Sequence, residues 1–201
     1  MSLLVKICGV TREADVAAAV EAGADAIGFV FHESSRRNVA PSRAAELASA
    51  LPADILRVAV TLHPTRRLVR KILAEFGPNV WQSDHEDFGV MGIPPEIQRW
   101  PVLRTGRRAP TELPHMILFD AAVSGNGLQA DWATAALLAR RSLLIIGGGL
   151  KPETVAHAVE AIRPVGVDVS SGVEREPGIK DGALVRQFVA AARAADRSAN
   201  S

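Results

Sequence analysis

Short apolar runs alternate with amphipathic segments along almost the whole chain. Several of these runs are hydrophobic at nearly every position, which is typical of parallel strands that are covered on both faces. They predict eight strands, at residues 3–8, 26–31, 55–62, 79–82, 101–105, 115–120, 142–147 and 165–170. Apolar residues at helical spacing predict helices between them, at residues 11–22, 42–51, 65–76, 131–140, 152–162 and 181–195.

Eight strands that mostly alternate with helices predict an α/β fold, a small (β/α)8 TIM barrel. Two of the units are weak. The fourth helix would fall within 86–99, which Gly92, Pro94 and Pro95 interrupt, and the fifth would fall within 105–114, which is short and holds two prolines. We therefore expect a barrel with a degenerate fifth helix. An open doubly wound sheet is the alternative fold.

The length and composition fit one domain with a large core. The chain has 201 residues, of which 48% are hydrophobic. We expect a single barrel domain over residues 1–195 and a flexible polar tail over 196–201. The start of the chain lacks the features of a secretory signal, and no apolar run reaches the length of a membrane span. These features predict a cytoplasmic protein with no membrane partner.

Charge and cysteine content narrow the function classes further. The formal net charge is +1, so the chain has no electrostatic footprint for nucleic acid. The single cysteine, Cys8, cannot form an internal disulfide, and no CxxC motif or histidine-rich cluster indicates a metal. The sequence therefore gives no indication of a structural metal.

Polar side chains collect where the predicted strands end. In barrels of this kind the C-terminal ends of the strands face the active site. Cys8 ends the first strand, Gln82 the fourth and Asp120 the sixth, while Arg37 follows the second and Asp168 lies near the end of the eighth. We expect these side chains to meet at one rim of the barrel.

Two glycine-containing loops predict a phosphate site. GGGL (147–150) follows the seventh strand and SSGVE (170–174) follows the eighth. Both loops would offer backbone N–H groups, the second would add hydroxyl groups, and a helix is expected to begin near Pro152. The loops after strands seven and eight often bind phosphate in this fold. The alternative is that these glycines only form tight turns.

Three side chains have both a structural and a chemical interpretation. Cys8 is either a small buried hydrophobic residue or a thiol whose lowered pKa suits it to act as a base. Asp120 either caps the loop after its strand or supplies the acid partner, because an ionised carboxylate at that strand end would be costly unless it faced the open rim. Arg37 is either a solvated charge or a fork for a substrate carboxylate.

Motifs spread along the chain carry a resemblance to a known enzyme family. They are VKICGVT (5–11), EAGADAIGFVF (21–31), the Ser35–Arg37–Val39 stretch, FDAAVSGNG (119–127) with DW (131–132), GGGLKPETV (147–155) and GVDVSSGVE (166–174) with PGIKD (177–181). Together they resemble phosphoribosylanthranilate isomerase of tryptophan biosynthesis, in register from about residue 4 to residue 191. The combination of KICG near the start and DVSSGVE near the end is highly specific.

The resemblance implies an Amadori rearrangement with no cofactor. N-(5-phospho-β-D-ribosyl)anthranilate would become 1-(2-carboxyphenylamino)-1-deoxy-D-ribulose 5-phosphate. It implies that Asp120 is the general acid on the furanose ring oxygen and that Cys8 is the general base at C2′. Arg37 would meet the anthranilate side, with Gln82 as a further substrate contact, and Asp168 would lie near the sugar hydroxyls. The same family pattern assigns the phosphate loops to Gly148, Gly149, Ser171 and Gly172.

The sequence departs from the family pattern at several points. The family's usual histidine after the fourth strand is Asp84 here, with His85 one place later. Arg36 replaces the usual proline before the substrate arginine, and Asn126 replaces a threonine in the loop after the sixth strand. These positions concern the anthranilate contacts and the loops, and both proposed proton-transfer residues are retained.

Two other functions stay open at this stage. One is a histidine-pathway isomerase that acts on a phosphoribosyl aldose, although enzymes of that type use two aspartates where this chain has Cys8 and Asp120. The other is a catalytically inactive barrel that binds a phosphosugar. The sequence permits either a monomer or a homodimer.

Overall fold

Eight parallel strands pair in sequence order and close into a barrel. The structure of the protein, a computed structural model, describes residues 2–123 and 127–199. The strands are β1 (Leu4–Cys8), β2 (Ala26–Val30), β3 (Leu56–Val60), β4 (Val80–Asp84), β5 (Gln98–Arg104), β6 (Met116–Asp120), β7 (Leu143–Ile146) and β8 (Gly166–Val169). Since β8 pairs with β1, the sheet has no free edge, and the alternative of an open sheet is wrong.

The described part of the chain has six α-helices around the barrel. They are α1 (Glu13–Ala22), α2 (Pro41–Ala48), α3 (Arg66–Glu75), α4 (Trp132–Ala139), α5 (Val155–Ile162) and α6 (Gly182–Ala199). A short antiparallel pair, β9 (Glu174–Glu176) and β10 (Ile179–Lys180), lies between β8 and α6. Among the described residues, no helix is long and apolar enough to cross a membrane.

The fourth and fifth units lack full helices. The segment after β4 contains only a 3₁₀ turn at His85–Gly89, and the described chain has no helix between β5 and β6. The prediction of a degenerate fifth helix is confirmed, and the fourth helix is shorter than the interrupted helix expected within 86–99. Gly92, which has a φ of 66°, and the two following prolines leave too few residues for regular helical hydrogen bonds.

The last helix runs beyond the predicted boundary at residue 195. Residues 196–199, which were expected in a flexible tail, form the final turn of α6. The Asp196 carboxylate accepts a hydrogen bond from the backbone N–H of Leu3 at 3.0 Å, and Arg163 donates to the carbonyl of Ala199 at 2.6 Å. These contacts give the polar segment partners that the sequence pattern did not show.

Two hydrophobic cores lie on opposite faces of the strands. The larger core packs the outward side chains of the strands, Val5 and Ile7 among them, against the helices. The smaller core fills the barrel interior with Ala26, Val58, Val80, Trp100, Val102, Leu118 and Ile145. Because side chains alternate along a strand, Lys6 and Cys8 of β1 point to the interior side. The barrel interior is therefore apolar in its lower part, away from the C-terminal ends of the strands, and polar near those ends.

We expect Phe188→Ala in α6 to destabilise the fold by about 3–5 kcal/mol, because Phe188 is fully buried and its loss leaves a cavity. Leu184→Ala on the same helix is the matched control, since Leu184 is only partly buried against this core and should cost far less. Urea unfolding of both variants measures the difference. Equal losses would contradict the proposed packing of α6.

Candidate active site

The C-terminal ends of the strands open into one cavity of about 770 Å³. All nine residues that the sequence predicted as site residues line this cavity. They are Cys8, Arg37, Gln82, Asp120, Gly148, Gly149, Asp168, Ser171 and Gly172. Closure of the barrel thus brings together side chains that lie far apart along the chain. The prediction that these side chains meet at one rim of the barrel is confirmed.

Cys8 lies at the end of β1, at the floor of the cavity. The residue is only 6% exposed. Burial raises the pKa of the Cys8 thiol, and Asp168 raises it further, whereas the ammonium groups of Lys6 and Lys180 act in the opposite direction. The pKa of the Cys8 thiol is raised overall, because burial outweighs the two ammonium groups. The lowered pKa expected from the sequence is therefore wrong.

Lys6 lies two residues before Cys8 and faces the same side of the strand. Its Nζ atom is 2.7 Å from Oδ1 of Asp168, the residue that pairs with it in the register of β1 and β8. Burial alone would lower the pKa of Lys6, but Asp168 and Cys8 hold it above its ordinary value. Lys6 therefore carries a positive charge inside the barrel.

Asp120 and Asp168 both lie close to Gly147, the residue directly after β7. A Cβ placed on Gly147 would lie 3.6 Å from Oδ2 of Asp168 and 3.7 Å from Oδ1 of Asp120. Oδ1 of Asp120 also accepts a hydrogen bond from the backbone N–H of Ala121 at 2.7 Å. The missing side chain at Gly147 leaves the space that both carboxylates face.

Arg37 is held by a buried carboxylate. Its Nε and Nη2 atoms each donate to Glu174 at 2.7 Å, and Lys180 Nζ donates to the same carboxylate at 2.8 Å. Burial alone would raise the pKa of Glu174, but these two cations hold it below its ordinary value. Burial lowers the pKa of Lys180 despite the opposing effect of Glu174. This network fixes the guanidinium group at the cavity wall.

A second ion pair lies on the opposite wall of the cavity. Arg104 donates to Asp84 from Nε at 3.0 Å and from Nη2 at 2.6 Å, and its Nη1 is 3.9 Å from Oδ2 of Asp120. Asp84 lines the main cavity, whereas His85 lines a smaller neighbouring one. Of the two candidates for the family's histidine position, the structure therefore places Asp84 at the site, paired with Arg104.

Gln82 contributes an acceptor without a protein partner. The side chain is 6% exposed, and its Oε1 atom finds no hydrogen-bond donor among the described residues. A buried acceptor that lacks a donor costs free energy unless another molecule supplies one. Since Gln82 lines the cavity, a ligand in the cavity can supply that donor.

The loops after β7 and β8 present free backbone donors. The N–H groups of Gly148, Gly149, Ser171 and Gly172 donate no hydrogen bond to any group within 2–123 and 127–199. Free N–H groups at a cavity wall bind anions through their partial positive charges. These loops therefore have the donors that a phosphate group requires.

Close packing also requires these glycines. A Cβ on Gly172 would lie 1.9 Å from the carbonyl oxygen of Leu150, and one on Gly148 would lie 2.7 Å from the backbone nitrogen of Ala121. The expected helix start near Pro152 is wrong: residues 151–154 form a turn, and α5 begins at Val155. The phosphate prediction therefore depends on the loop N–H groups and not on that helix N-terminus.

Sequence reasoning missed the charged residues behind the cavity wall. Lys6, Glu174 and Lys180 had no assigned role. In the structure Lys6 pairs with Asp168, and Glu174 pairs with both Arg37 and Lys180. A signal was present in Lys6, a charged residue inside the apolar run LLVKIC.

Among the described residues, no group of three or more potential metal ligands is assembled. Gly125 and Asn126 of the loop after β6 lie outside the described residues.

Comparisons with known proteins match the whole chain to one family. The family model described as N-(5'phosphoribosyl)anthranilate (PRA) isomerase matches residues 5–191. The N-(5'-phosphoribosyl)anthranilate isomerase of Bordetella pertussis is 38% identical, over 99% of this chain and 100% of its own length. That of Dechloromonas aromatica is 41% identical, over 98% of this chain and 100% of its own length. The resemblance found in the sequence motifs is confirmed.

Solved structures give the same result for the fold. The phosphoribosyl anthranilate isomerase of Thermotoga maritima superimposes with a TM-score of 0.84 at 30% identity, covering 96% of this chain and 99% of that one. Another such isomerase, in complex with reduced 1-(o-carboxyphenylamino)-1-deoxyribulose 5-phosphate, has a TM-score of 0.79 at 28% identity, with coverage of 96% and 99%. Taken with the family match, these findings show that the chain belongs to the N-(5'-phosphoribosyl)anthranilate isomerase family.

Proposed function

We propose that this cavity converts N-(5-phospho-β-D-ribosyl)anthranilate to 1-(2-carboxyphenylamino)-1-deoxy-D-ribulose 5-phosphate by an Amadori rearrangement. The reaction is an aldose–ketose isomerisation, the third step from chorismate to tryptophan. One observation carries the proposal: the thiol of Cys8 and the carboxyl of Asp120 line the same cavity as a set of free loop N–H groups. Family membership gives the substrate.

The phosphate group anchors the substrate in the loops after β7 and β8. The N–H groups of Gly148, Gly149, Ser171 and Gly172 bind its oxygens, and the Ser171 hydroxyl is available beside them. This anchor needs no lysine-rich patch, which agrees with a net charge of +1. Because the phosphate is remote from the reacting carbons, it orients the sugar without taking part in the chemistry.

The anthranilate end of the substrate contacts the wall formed by Arg37. Glu174 occupies Nε and Nη2 of this guanidinium, so the remaining N–H groups bind the substrate carboxylate. The free Oε1 of Gln82 accepts a hydrogen bond from the substrate. Asp168, held by Lys6, lies near the sugar hydroxyls.

Asp120 opens the ribose ring as the general acid. Its carboxyl group delivers a proton to the furanose ring oxygen, the bond from C1′ to that oxygen breaks, and the anilino nitrogen forms a protonated Schiff base at C1′. Asp120 ends β6 and lines the cavity, and the hydrogen bond from the N–H of Ala121 to Oδ1 restrains its carboxyl group there.

Cys8 then acts as the general base. Its thiolate takes the proton from C2′, an S–H bond forms, and the C2′–H electron pair forms the double bond of an enolamine as the iminium nitrogen is neutralised. The enolamine tautomerises to the aminoketose. Positioned acid–base groups of this kind each contribute about 10²–10⁴-fold to the rate.

The proposal also includes that the protein is a monomer or a homodimer and that it is located in the cytoplasm. The isomerisation needs only small-molecule partners, and the proposed proton transfers require neither cofactor nor metal. Turnover of the fluorescent anthranilate substrate separates this function from the two alternatives, because neither a histidine-pathway isomerase nor an inactive phosphosugar-binding barrel is expected to consume it.

Cys8→Ala is expected to lower kcat by about 10²–10⁴-fold, because it removes the base while leaving the phosphate loops intact. Substrate binding, measured by fluorescence titration, should change little. The decrease in substrate fluorescence during turnover measures kcat. Near-normal turnover in the purified variant would exclude Cys8 as the base.

Asp120→Asn is expected to reduce kcat by a similar factor, because an amide cannot deliver the proton that opens the ring. Thr105→Val is the matched control, since the Thr105 hydroxyl donates to the backbone carbonyl of Asp120 and not to its carboxylate. A loss of kcat in the control as large as that in Asp120→Asn would count against a chemical role for the carboxyl.

Arg37→Met is expected to raise KM more than it lowers kcat, because the guanidinium binds the substrate carboxylate equally in ground and transition states. Glu174→Gln keeps the shape but weakens the anchor of Arg37, so it should raise KM in the same direction by a smaller factor. Steady-state kinetics measures both. A loss confined to kcat would contradict the binding role of Arg37.

A further inference from the structure

A fully buried lysine lies directly beneath the proposed base. Lys6 is 0% exposed and is not among the residues that line the cavity, so its ammonium group is shielded from solvent. Burying a charge is costly unless an opposite charge compensates it. Asp168 supplies one such charge at 2.7 Å. A structural pair of this kind does not in itself explain why the ammonium lies beside Cys8.

The geometry around Gly28 brings the ammonium and the thiol together. Gly28 on β2 is the register partner of Cys8, and a Cβ at this position would lie 3.0 Å from the Cys8 sulfur and 3.1 Å from Nζ of Lys6. Both groups therefore converge on the space above this glycine. Any larger residue would push into that space, so the glycine leaves room for the lysine and the thiol to lie side by side.

We propose that Lys6 is a positioning residue that acts through Cys8, its ammonium group stabilising the thiolate from inside the barrel. This inference rests on the proposed function of Cys8 as the base. The substrate brings a phosphate and a carboxylate into the cavity, and both disfavour a nearby thiolate. A cation that water cannot replace offsets this repulsion. Lys6 keeps its proton throughout, since only Cys8 receives the proton from C2′.

Asp168 completes the arrangement with the opposite effect. Its carboxylate keeps Lys6 charged and fixed in position, and its negative charge disfavours the thiolate. Two further cations face this region: Lys180 on β10 and Arg37 in the loop after β2. Glu174 pairs with both of them, which reduces their effect on Cys8. Lys6 and Asp168 are therefore the two groups with the largest and opposite electrostatic effects on the thiol.

Thiol alkylation tests the proposal without substrate. Cys8 is the single cysteine of the chain, so the rate of iodoacetamide modification of the free enzyme as a function of pH reports the ionisation of this thiol alone. The midpoint of the profile is the appropriate readout, because the intrinsic reactivity of a thiolate also changes with its pKa. Cys8→Ser provides the blank.

In Lys6→Met the alkylation midpoint is expected to move to higher pH by about 1 unit or more, since an opposite charge a few ångströms away has been removed. Lys6→Gln, which keeps a polar side chain beside Asp168, is expected to give an upward shift as well. Upward shifts in both Lys6 variants with unchanged far-UV circular dichroism distinguish loss of the ammonium charge from disruption of the barrel. The acid limb of the pH profile of kcat/KM in Lys6→Met should move in the same direction as its alkylation midpoint.

Lys180→Met is the matched control, since Lys180 is also a buried lysine in an ion pair but donates to Glu174 and to the carbonyl of Ser170. Its midpoint should shift by less than half as much. The proposal is overturned by an unchanged or lowered midpoint in Lys6→Met, or by equal shifts in Lys6→Met and Lys180→Met. If Lys6→Met does not fold, the midpoint of Lys6→Gln decides in the same way.

These outcomes are separate from those that test the function. Near-normal turnover in Cys8→Ala would refute the base assignment whatever the alkylation midpoints show. Conversely, a strong loss of turnover in Cys8→Ala together with an unchanged alkylation midpoint in Lys6→Met would support Cys8 as the base and refute the proposed role of Lys6.

Discussion

The pairing of β8 with β1 is the constraint on which the rest of the structure depends. It closes the barrel and sets Lys6 opposite Asp168 in register, where their side chains form a 2.7 Å ion pair inside the closed ring. The same closure places Cys8 of the first strand next to the loop that carries Ser171. The proposed base, the proposed sugar-binding carboxylate and the proposed phosphate anchor thus come together at one seam, although they are separated by most of the chain.

Charged side chains around the cavity are held in ion pairs. Lys6 pairs with Asp168, and both Lys180 and Arg37 pair with Glu174, all largely removed from water. Arg104 pairs with Asp84 on another wall of the cavity. Buried pairs of this kind contribute little net stability, but removal of one partner typically costs about 3–5 kcal/mol. Their value here is geometric. Each ion pair restrains a long lysine or arginine side chain that would otherwise move, and so keeps its charge at one position near the cavity.

The strands were predictable because hydrophobicity along them is nearly continuous, and the barrel followed from their number. The fourth and fifth units were harder to predict, because Gly92 and the neighbouring prolines show that a helix is weak without showing what replaces it. The last turn of α6 was missed because its partners, such as the N–H of Leu3 for Asp196, lie at the other end of the chain. Without those partners, the polar sequence of residues 196–199 predicts a flexible tail.

The site residues at the rim were predictable from their positions at strand ends together with the family motifs. The residues behind them were not, because the partners of Lys6 and Glu174 come from other strands and loops. Whether Asp84 or His85 faces the cavity depended on the local path of the chain after β4. There the strand ends at Asp84 and a 3₁₀ turn directs His85 elsewhere. Register and turn geometry decide such details, and neither can be read from composition.

A crystal structure of this protein with the reduced product analogue bound would test the central claim most directly. We expect the sulfur of Cys8 within about 3–4 Å of C2′, the Asp120 carboxyl near the oxygen that leaves the ring, and the phosphate against Gly148 and Gly172. A complex in which the sulfur faces away from C2′, or in which the phosphate lies at another part of the rim, would contradict it.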